Sequence, residues 1–132
     1  MQFKRFDVTF HTEKMEESKR FYRDHFGFAV TSESEWYIEL YAPENKVGIS
    51  FVRAQREDGE FFAGGGVILS FEVDDVYKEH DRLVSEGLHI VQEIEDKPWG
   101  EKSFVVNDPN GVHVYIYDIP HKYSPFGESF SP

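Results

Sequence analysis

The sequence contains no cysteine. This absence excludes disulfide bonds, thiolate nucleophiles, zinc–thiolate sites and iron–sulfur clusters. The sequence also lacks an apolar run approaching the roughly 20 residues of a membrane-spanning helix. Residues 1–7 do not form the apolar stretch of a secretory signal. From these absences we expect a cytoplasmic protein that has no membrane partner.

Positive charge is scarce as well. The chain of 132 residues has 14 Lys and Arg against 25 Asp and Glu, which gives a formal net charge of −11. Nucleic acid and anionic lipid would be repelled by such a protein, so we expect neither as a partner. Hydrophobic residues make up 39% of the chain, enough for a core, and the length fits one domain. A cationic small molecule is the ligand class that this charge favours.

Two segments of the chain share one pattern. The run Asp7–His11 and the run Ile68–Glu72 both have the alternation of a strand. Each is followed by a helical pattern that ends at a glycine, Gly27 or Gly87. The offset is 61 residues at the strand (68 − 7) and 60 at the glycine (87 − 27). This nearly constant offset indicates a duplicated supersecondary unit.

Each copy continues with three short strand-like runs, so each copy is predicted to be β-α-β-β-β. We therefore expect an α+β fold, in which a single domain consists of two tandem modules at about 5–60 and 66–118, followed by an irregular tail at 119–132. Asp74 or Asp75 is placed to cap the second helix. The run Asp108-Pro109-Asn110-Gly111 has the residues of a tight turn before the last strand.

The first and last predicted strands of each module alternate apolar and polar positions, so one face of each sheet is packed and the other is wetter. The wetter face carries Asp7, Thr9, His11, Ser50, Ile68, Glu72, His113, Tyr115 and Tyr117. Plain exposure to solvent is one interpretation of this face. A row of a histidine and two tyrosines instead favours a ligand cavity, because small-molecule sites mix aromatic groups with a few polar ones. We take the cavity as the prediction.

Three motifs follow one another along the chain. They are the helix Ser18-Lys19-Arg20-Phe21-Tyr22-Arg23-Asp24-His25-Phe26-Gly27-Phe28, the run Phe71-Glu72-Val73-Asp74-Asp75-Val76, and Pro98-Trp99-Gly100-Glu101 with Asp108-Pro109-Asn110-Gly111. In this order they resemble the vicinal oxygen chelate superfamily, which includes glyoxalase I, extradiol dioxygenases and bleomycin-resistance proteins. The resemblance covers about residues 6–118. It implies two modules whose sheets form a U-shaped, half-barrel cleft, assembled as a homodimer.

Enzymes of that superfamily bind a divalent metal through one side chain on each of four cleft strands. The resemblance carries these positions over to Asp7, Ser50, Ile68 and Tyr115. Asp7 is an ordinary metal ligand, but Ile68 cannot coordinate, and serine and tyrosine are poor ligands for a catalytic divalent ion. We therefore expect no metal, no other cofactor and no catalytic residue of the family type.

With these replacements the chain resembles the bleomycin-resistance-like branch, whose members are acidic dimers that sequester cationic drugs. The predicted function is metal-free binding of a small cationic or aromatic molecule. The predicted ligand-binding residues are Asp7, Thr9, His11, Ser50, Ile68, Glu72, Trp99, His113, Tyr115 and Tyr117. One alternative is a lyase, isomerase or dioxygenase with a rearranged metal site at Asp7, His11 and His113. Another is a sensing or partner-binding module whose cleft is vestigial.

Overall fold

The computed structural model describes residues 1–42, 44, 46–53 and 65–119. It contains the β-α-β-β-β succession twice, so the predicted α+β fold with tandem modules is confirmed. The first copy consists of β1 (Phe6–His11), α1 (Met15–Phe26), β2 (Ala29–Glu33), β3 (Tyr37–Ala42) and β4 (Val47–Val52). The second consists of β5 (Ile68–Glu72), α2 (Val76–Ser85), β6 (Ile90–Asp96), β7 (Lys102–Asn107) and β8 (His113–Asp118). The predicted end of the first module near residue 60 and the predicted tail, apart from residue 119, lie outside the described residues.

Both copies form a four-stranded sheet with the same strand order. The order is β1-β4-β3-β2 in the first sheet and β5-β8-β7-β6 in the second. The first and last strands of each copy are parallel neighbours, and the other pairs are antiparallel. Asp7 pairs with Gly48 in the first sheet, and Ile68 pairs with His113 in the second. The equivalent residues Asp7 and Ile68 are 61 residues apart, the offset found in the sequence, whereas their partners Gly48 and His113 are 65 apart (113 − 48).

The predicted stop of α1 at Gly27 and the predicted cap of α2, at Asp75, are confirmed. α1 stops at Gly27, whose φ of 74° is left-handed, and the Phe28 N–H donates to the Tyr22 carbonyl at 3.2 Å. A residue with a Cβ atom would be strained at this position. α2 begins after Asp75, whose side chain accepts hydrogen bonds from the backbone N–H groups of Tyr77 and Lys78. Local signals in the sequence thus determine where α1 ends and where α2 begins.

Each helix covers one face of its own sheet. α1 contacts β2, β3 and β4, and α2 contacts β6, β7 and β8. Burying an apolar side chain of this size stabilises the fold by roughly 1.5–3 kcal/mol. The buried apolar residues of the first copy include Phe10, Met15, Tyr22, Ile38, Leu40, Ile49 and Phe51. Those of the second include Val76, Leu83, Phe104, Val106, Val114 and Ile116. The opposite face of each sheet is left to carry the polar residues.

The chain divides into two compact units. One is Met1–Gly65 together with Asp108–Gly111, and the other is Gly66–Asn107 together with Val112–Pro132. The predicted turn between β7 and β8 therefore belongs to the first unit. In the described part of the chain, no helix is long and apolar enough to cross a membrane.

The turn Asp108–Gly111 is held by a polar network. The buried Asp108 carboxylate accepts a hydrogen bond from the Tyr22 hydroxyl at 2.7 Å and one from the Asn110 N–H at 2.8 Å. The Asn110 side chain accepts from the Thr12 hydroxyl at 2.6 Å and donates to the Ser18 hydroxyl at 2.9 Å. Burial and the negative charge of Asp108 raise the pKa of Tyr22 far above its ordinary value. Tyr22 therefore stays protonated and acts as a donor.

Candidate functional site

The sheet face opposite α1 is here called the first face. It carries Asp7, Thr9 and His11 from β1, Tyr37, Glu39 and Tyr41 from β3, and Gly48 and Ser50 from β4. Among the predicted ligand-binding residues, Asp7, Thr9 and His11 are exposed. Ser50 is only 2% exposed, and its hydroxyl lies 3.2 Å from the Tyr37 hydroxyl. Ser50 is therefore buried beside Tyr37, and its part in ligand binding stays a prediction.

Glu39 is the most connected carboxylate of the first face, and it was not among the predicted residues. It accepts hydrogen bonds from the Thr31 hydroxyl at 2.7 Å and from the Tyr37 hydroxyl at 3.0 Å. These two bonds lower the pKa of Glu39, and the charge of Arg5 adds to them, against the opposing effects of burial and of the Asp7 charge. The alternation Tyr37-Ile38-Glu39-Leu40-Tyr41 was a signal that would have placed Glu39 on this face.

Asp7 is already paired with a cation from its own chain. The Arg5 Nε donates to Asp7 Oδ1 at 2.8 Å, and Arg5 Nη2 lies 2.7 Å from the same oxygen and 3.8 Å from Glu39 Oε2. The hydrogen bond to Asp7 raises the pKa of Arg5 further above its already high value. The guanidinium also lies over the Tyr41 ring, with Cζ 4.2 Å from the ring centroid.

The sheet face opposite α2 is here called the second face. It carries Ile68, Ser70 and Glu72 from β5, Ser103 and Val105 from β7, and His113, Tyr115 and Tyr117 from β8, with Glu101 just before β7. The Tyr115 and Tyr117 rings are tilted by 41°, with centroids 5.8 Å apart. The Tyr115 hydroxyl donates a hydrogen bond to the Glu101 carboxylate. Burial, followed by that bond, raises the pKa of Tyr115. Burial, followed by the charges of Glu72 and Glu101, raises the pKa of Tyr117.

The other predicted residues of the second unit are more exposed. Ile68 is 62% exposed, and Glu72 and His113 are also exposed. His113 Nδ1 lies 2.7 Å from Asn107 Oδ1, so its ring is oriented by a neighbouring strand. Trp99 is 46% exposed at the tip of the turn between β6 and β7. Glu101, which accepts a hydrogen bond from Tyr115, belongs to one of the sequence motifs but is not among the predicted ligand-binding residues.

The residues at the family's metal positions do not fit a divalent metal. Ile68 has no donor atom, and the Ser50 hydroxyl is buried beside Tyr37. The Tyr115 hydroxyl donates to Glu101, and Asp7 is paired with the Arg5 guanidinium. A firm site needs several anionic or imidazole donors that converge on one point. These four positions do not supply such a set.

The rearranged metal site at Asp7, His11 and His113 is not supported by the placement of its members. Asp7 and His11 are four residues apart on β1, which separates their Cα atoms by about 13 Å. The Asp7 carboxylate accepts a hydrogen bond from Arg5, which lies two residues before it, whereas His11 lies four residues after it. Within the described residues, no group of three or more His, Asp or Glu side chains is arranged to hold a metal ion.

Comparison with known proteins identifies the family. The family model of the Glyoxalase/Bleomycin resistance protein/Dioxygenase superfamily matches residues 7–116. The chain belongs to this superfamily, so the predicted resemblance is confirmed at that level. No curated protein matches the chain.

Solved structures share the fold at low sequence identity. A glyoxalase/bleomycin resistance protein/dioxygenase from Nocardioides is 19% identical with a TM-score of 0.74, covering 97% of this chain and 88% of its own. Lactoylglutathione lyase from Agrobacterium tumefaciens is 17% identical with a TM-score of 0.69, covering 86% and 91%. TnmS3, an antibiotic binding protein from Streptomyces sp. CB03234, is 17% identical with a TM-score of 0.70, covering 91% and 98%. Because an enzyme and a binding protein share this fold, function must be argued from side chains.

Proposed function

We propose that this protein binds a small cationic aromatic molecule on the second face and holds it without transforming it. The observation that carries the proposal is the Tyr115–Tyr117 pair with two carboxylates beside it, Glu101 and Glu72. In this reading the protein is an antibiotic-sequestering member of its superfamily, of the bleomycin-resistance-like branch.

The second face has the chemistry that such a ligand requires. Tyr115 and Tyr117 are half-buried, so they offer ring surface that is partly shielded from water. A flat cationic group that stacks on one of these rings would gain roughly 0.5–2 kcal/mol. The exposed Ile68 extends the apolar surface at the sheet edge. Ligand affinity can therefore come from stacking and apolar contact.

Electrostatics supports a positive charge on the ligand. Burial is the main cause of the raised pKa of Tyr117, and the charges of Glu72 and Glu101 add to it, in the direction of a negative potential at the ring where the ligand would stack. A cationic group would be attracted by the same carboxylates, and partial burial strengthens that attraction relative to open water. The net charge of −11 acts in the same direction.

Binding without reaction is supported by the side chains at the metal positions of the family. Ile68 and Ser50 offer no ligand set, and Asp7 is already neutralised by Arg5. The antibiotic binding protein TnmS3 has the same fold, so sequestration is a function that this fold can perform. The homodimer implied by the resemblance stays a prediction.

Calorimetric titration tests the ligand class. Bleomycin-type cationic aromatics should bind, and an anionic aromatic of similar size should not, because Glu72 and Glu101 would repel it. Binding of anionic ligands alone, or of none, would contradict the proposal.

Matched variants test the location of the site. Tyr117→Leu removes a ring from the second face, and Tyr77→Leu removes a 52% exposed tyrosine from α2. We expect Tyr117→Leu to weaken binding about ten-fold, which corresponds to about 1.4 kcal/mol, and Tyr77→Leu to leave it unchanged. Glu101→Gln should also weaken binding, whereas Glu35→Gln makes the same change of charge at an exposed residue of the first unit. Equal effects of the paired variants would place the ligand elsewhere.

Two further measurements separate the alternatives. Elemental analysis that finds a stoichiometric divalent metal, lost in Asp7→Ala, would favour a metal-dependent lyase, isomerase or dioxygenase over the proposal. Native mass spectrometry of freshly purified protein reports the subunit count and any bound small molecule together. A subunit count of one would overturn the predicted homodimer while leaving the ligand proposal to the titration.

A further inference from the structure

The Arg5 guanidinium lies in a site that has the composition of a receptor for organic cations. One carboxylate, Asp7, pairs with it at 2.7 Å, and a second, Glu39, lies 3.8 Å away. The Tyr41 ring lies against the guanidinium, 4.2 Å from Cζ. Carboxylates in the plane of a guanidinium and an aromatic ring on its face are the groups that recognise this kind of cation.

Gly48 makes the space for this cluster. It pairs with Asp7 on one side and with Tyr41 on the other. A Cβ atom at Gly48 would lie 1.9 Å from Asp7 Oδ1 and 2.4 Å from Arg5 Nη2. The carboxylate and the guanidinium therefore rest directly on the backbone of β4. The Asp7 carboxylate and the Arg5 guanidinium can occupy this position because residue 48 has no side chain.

The residues that carry the two carboxylates belong to paired strands, whereas the residue that carries the guanidinium does not. Asp7 is part of the paired β1–β4 ladder, and Glu39 is part of β3 and is held by Thr31 and Tyr37. Arg5 precedes the first paired residue of β1. Its side chain can therefore leave the cluster without breaking any hydrogen bond of the sheet.

Even with Arg5 in place, the cluster keeps a negative charge. Asp7 and Glu39 contribute two negative charges and Arg5 one positive charge, which leaves one negative charge. An external cation is thus attracted to the site but must compete with a guanidinium that is tethered to it. Such a tether acts as a high local concentration of competitor and weakens the apparent affinity of the external ligand.

From this arrangement we propose that the first face contains a second ligand site, specific for compact organic cations such as guanidinium or amidinium groups, which Arg5 occupies as a tethered internal ligand. A ligand of that class binds after it displaces Arg5 from Asp7 and Glu39. This proposal does not rest on the aromatic site proposed on the second face, and either can be wrong without the other.

Methylguanidinium is the probe, and replacement of Arg5 is the test. Arg5→Ala vacates the cluster, so we expect it to bind methylguanidinium about ten-fold or more tightly than the parent protein does. The binding is measured by NMR titration at millimolar concentrations, with sodium chloride at equal ionic strength as the reference. Arg53→Ala is the matched control, because Arg53 also lies over an aromatic ring, 5.5 Å from that of Trp36. This variant should bind the probe no better than the parent.

If the proposal is right, the tighter binding of methylguanidinium by Arg5→Ala depends on the carboxylates. Adding Asp7→Asn to Arg5→Ala should abolish it, because the paired oxygen loses its charge. Equal affinity of the parent and Arg5→Ala, or a gain that survives Asp7→Asn, would show that Arg5 and Asp7 form a surface ion pair only and would overturn the proposal. Arg5→Gln, which keeps a polar side chain but removes the charge and the guanidinium, gives the same comparison if Arg5→Ala does not fold. In the parent, the Arg5 Nε–H resonance should also shift as the probe binds, and an unchanged resonance at saturation would overturn the proposal.

Discussion

The two modules repeat one backbone pattern but carry opposite chemistry on their polar faces. Their registers align Gly48 with His113, Ser50 with Tyr115, and Glu39 with Val105. At these positions the first face has a glycine, a small hydroxyl and a carboxylate, and it holds an ionic cluster. The second face has an imidazole, a phenol and an apolar group, and it presents aromatic surface. The two modules therefore share the packed layer, and they differ in the layer opposite to it.

The helices differ in a similar way. The offset of 61 residues aligns Tyr22 of α1 with Leu83 of α2, and both side chains are fully buried. A buried hydroxyl requires a hydrogen-bond partner, whereas a buried leucine does not. Asp108 supplies the partner of Tyr22. The first unit thus depends on a buried polar network at the place where the second uses an apolar side chain.

The largest expected effect is a loss of stability when the buried polar network at Tyr22 is broken. Asp108→Ala removes the acceptor of both the Tyr22 hydroxyl and the Asn110 N–H. Leaving a buried donor unpaired costs about 1–3 kcal/mol, so we expect a loss of about 3 kcal/mol in the free energy of unfolding, measured by urea denaturation. Tyr22→Phe removes one donor and should cost less. A cost of Asp108→Ala no greater than that of an exposed substitution such as Glu35→Gln would show that the network contributes nothing.

A smaller effect on stability is expected at Gly48, which is aligned with His113. At these two positions the side chains of the two faces differ most in size. Gly48→Ala places a Cβ atom where Asp7 Oδ1 and Arg5 Nη2 now lie. Both atoms end flexible side chains, so the fold should tolerate the change at about 1 kcal/mol or less. The Arg5–Asp7 pair should separate, as reported by the Arg5 Nε–H resonance.

His113→Ala is the control for Gly48→Ala, because it changes the aligned position of the second face. It should leave the Arg5 Nε–H resonance unchanged. If Gly48→Ala also leaves that resonance unchanged, the Arg5–Asp7 pair does not depend on the absence of a side chain at position 48.

The order of the elements was predictable from the sequence because each signal is local. Gly27 ends α1, Asp75 caps α2, and the alternation of Ile68–Glu72 marks an exposed strand face, all within a few residues. The superfamily was recognisable because its motifs are also contiguous. Such patterns need no knowledge of which strands become neighbours.

The contents of the two faces were less predictable because they depend on pairing between distant strands. Ser50 of β4 is buried beside Tyr37 of β3, and the Glu39 carboxylate accepts hydrogen bonds from Thr31 and Tyr37. Asp108 meets Tyr22 across 86 residues of chain. A period of two places a residue on a face but does not say what covers it. The sequence therefore predicts the face on which a residue lies more readily than the side chains that contact it there.

The smallest effect expected is a difference in how pH acts on the two faces. Hydrogen bonds from Thr31 and Tyr37 lower the pKa of Glu39 in the folded protein. Its contribution to stability is therefore present above its ordinary value of about 4.3 and is lost as the pH falls below it. Burial and the bond to Glu101 raise the pKa of Tyr115, so its contribution is present below about pH 10 and is lost as the pH rises above that value.

Urea denaturation across the pH range separates the two contributions. Glu39→Gln should flatten the acid limb of the stability profile below about pH 4.3, and Tyr115→Phe should flatten the alkaline limb above about pH 10. Each variant should leave the other limb as it is in the parent, because the two groups titrate in different windows and belong to different units. Steepening of a limb would mean that the shift has the opposite sign. A change in the wrong limb would mean that the ionic first face and the phenolic second face do not respond to protons as separate surfaces.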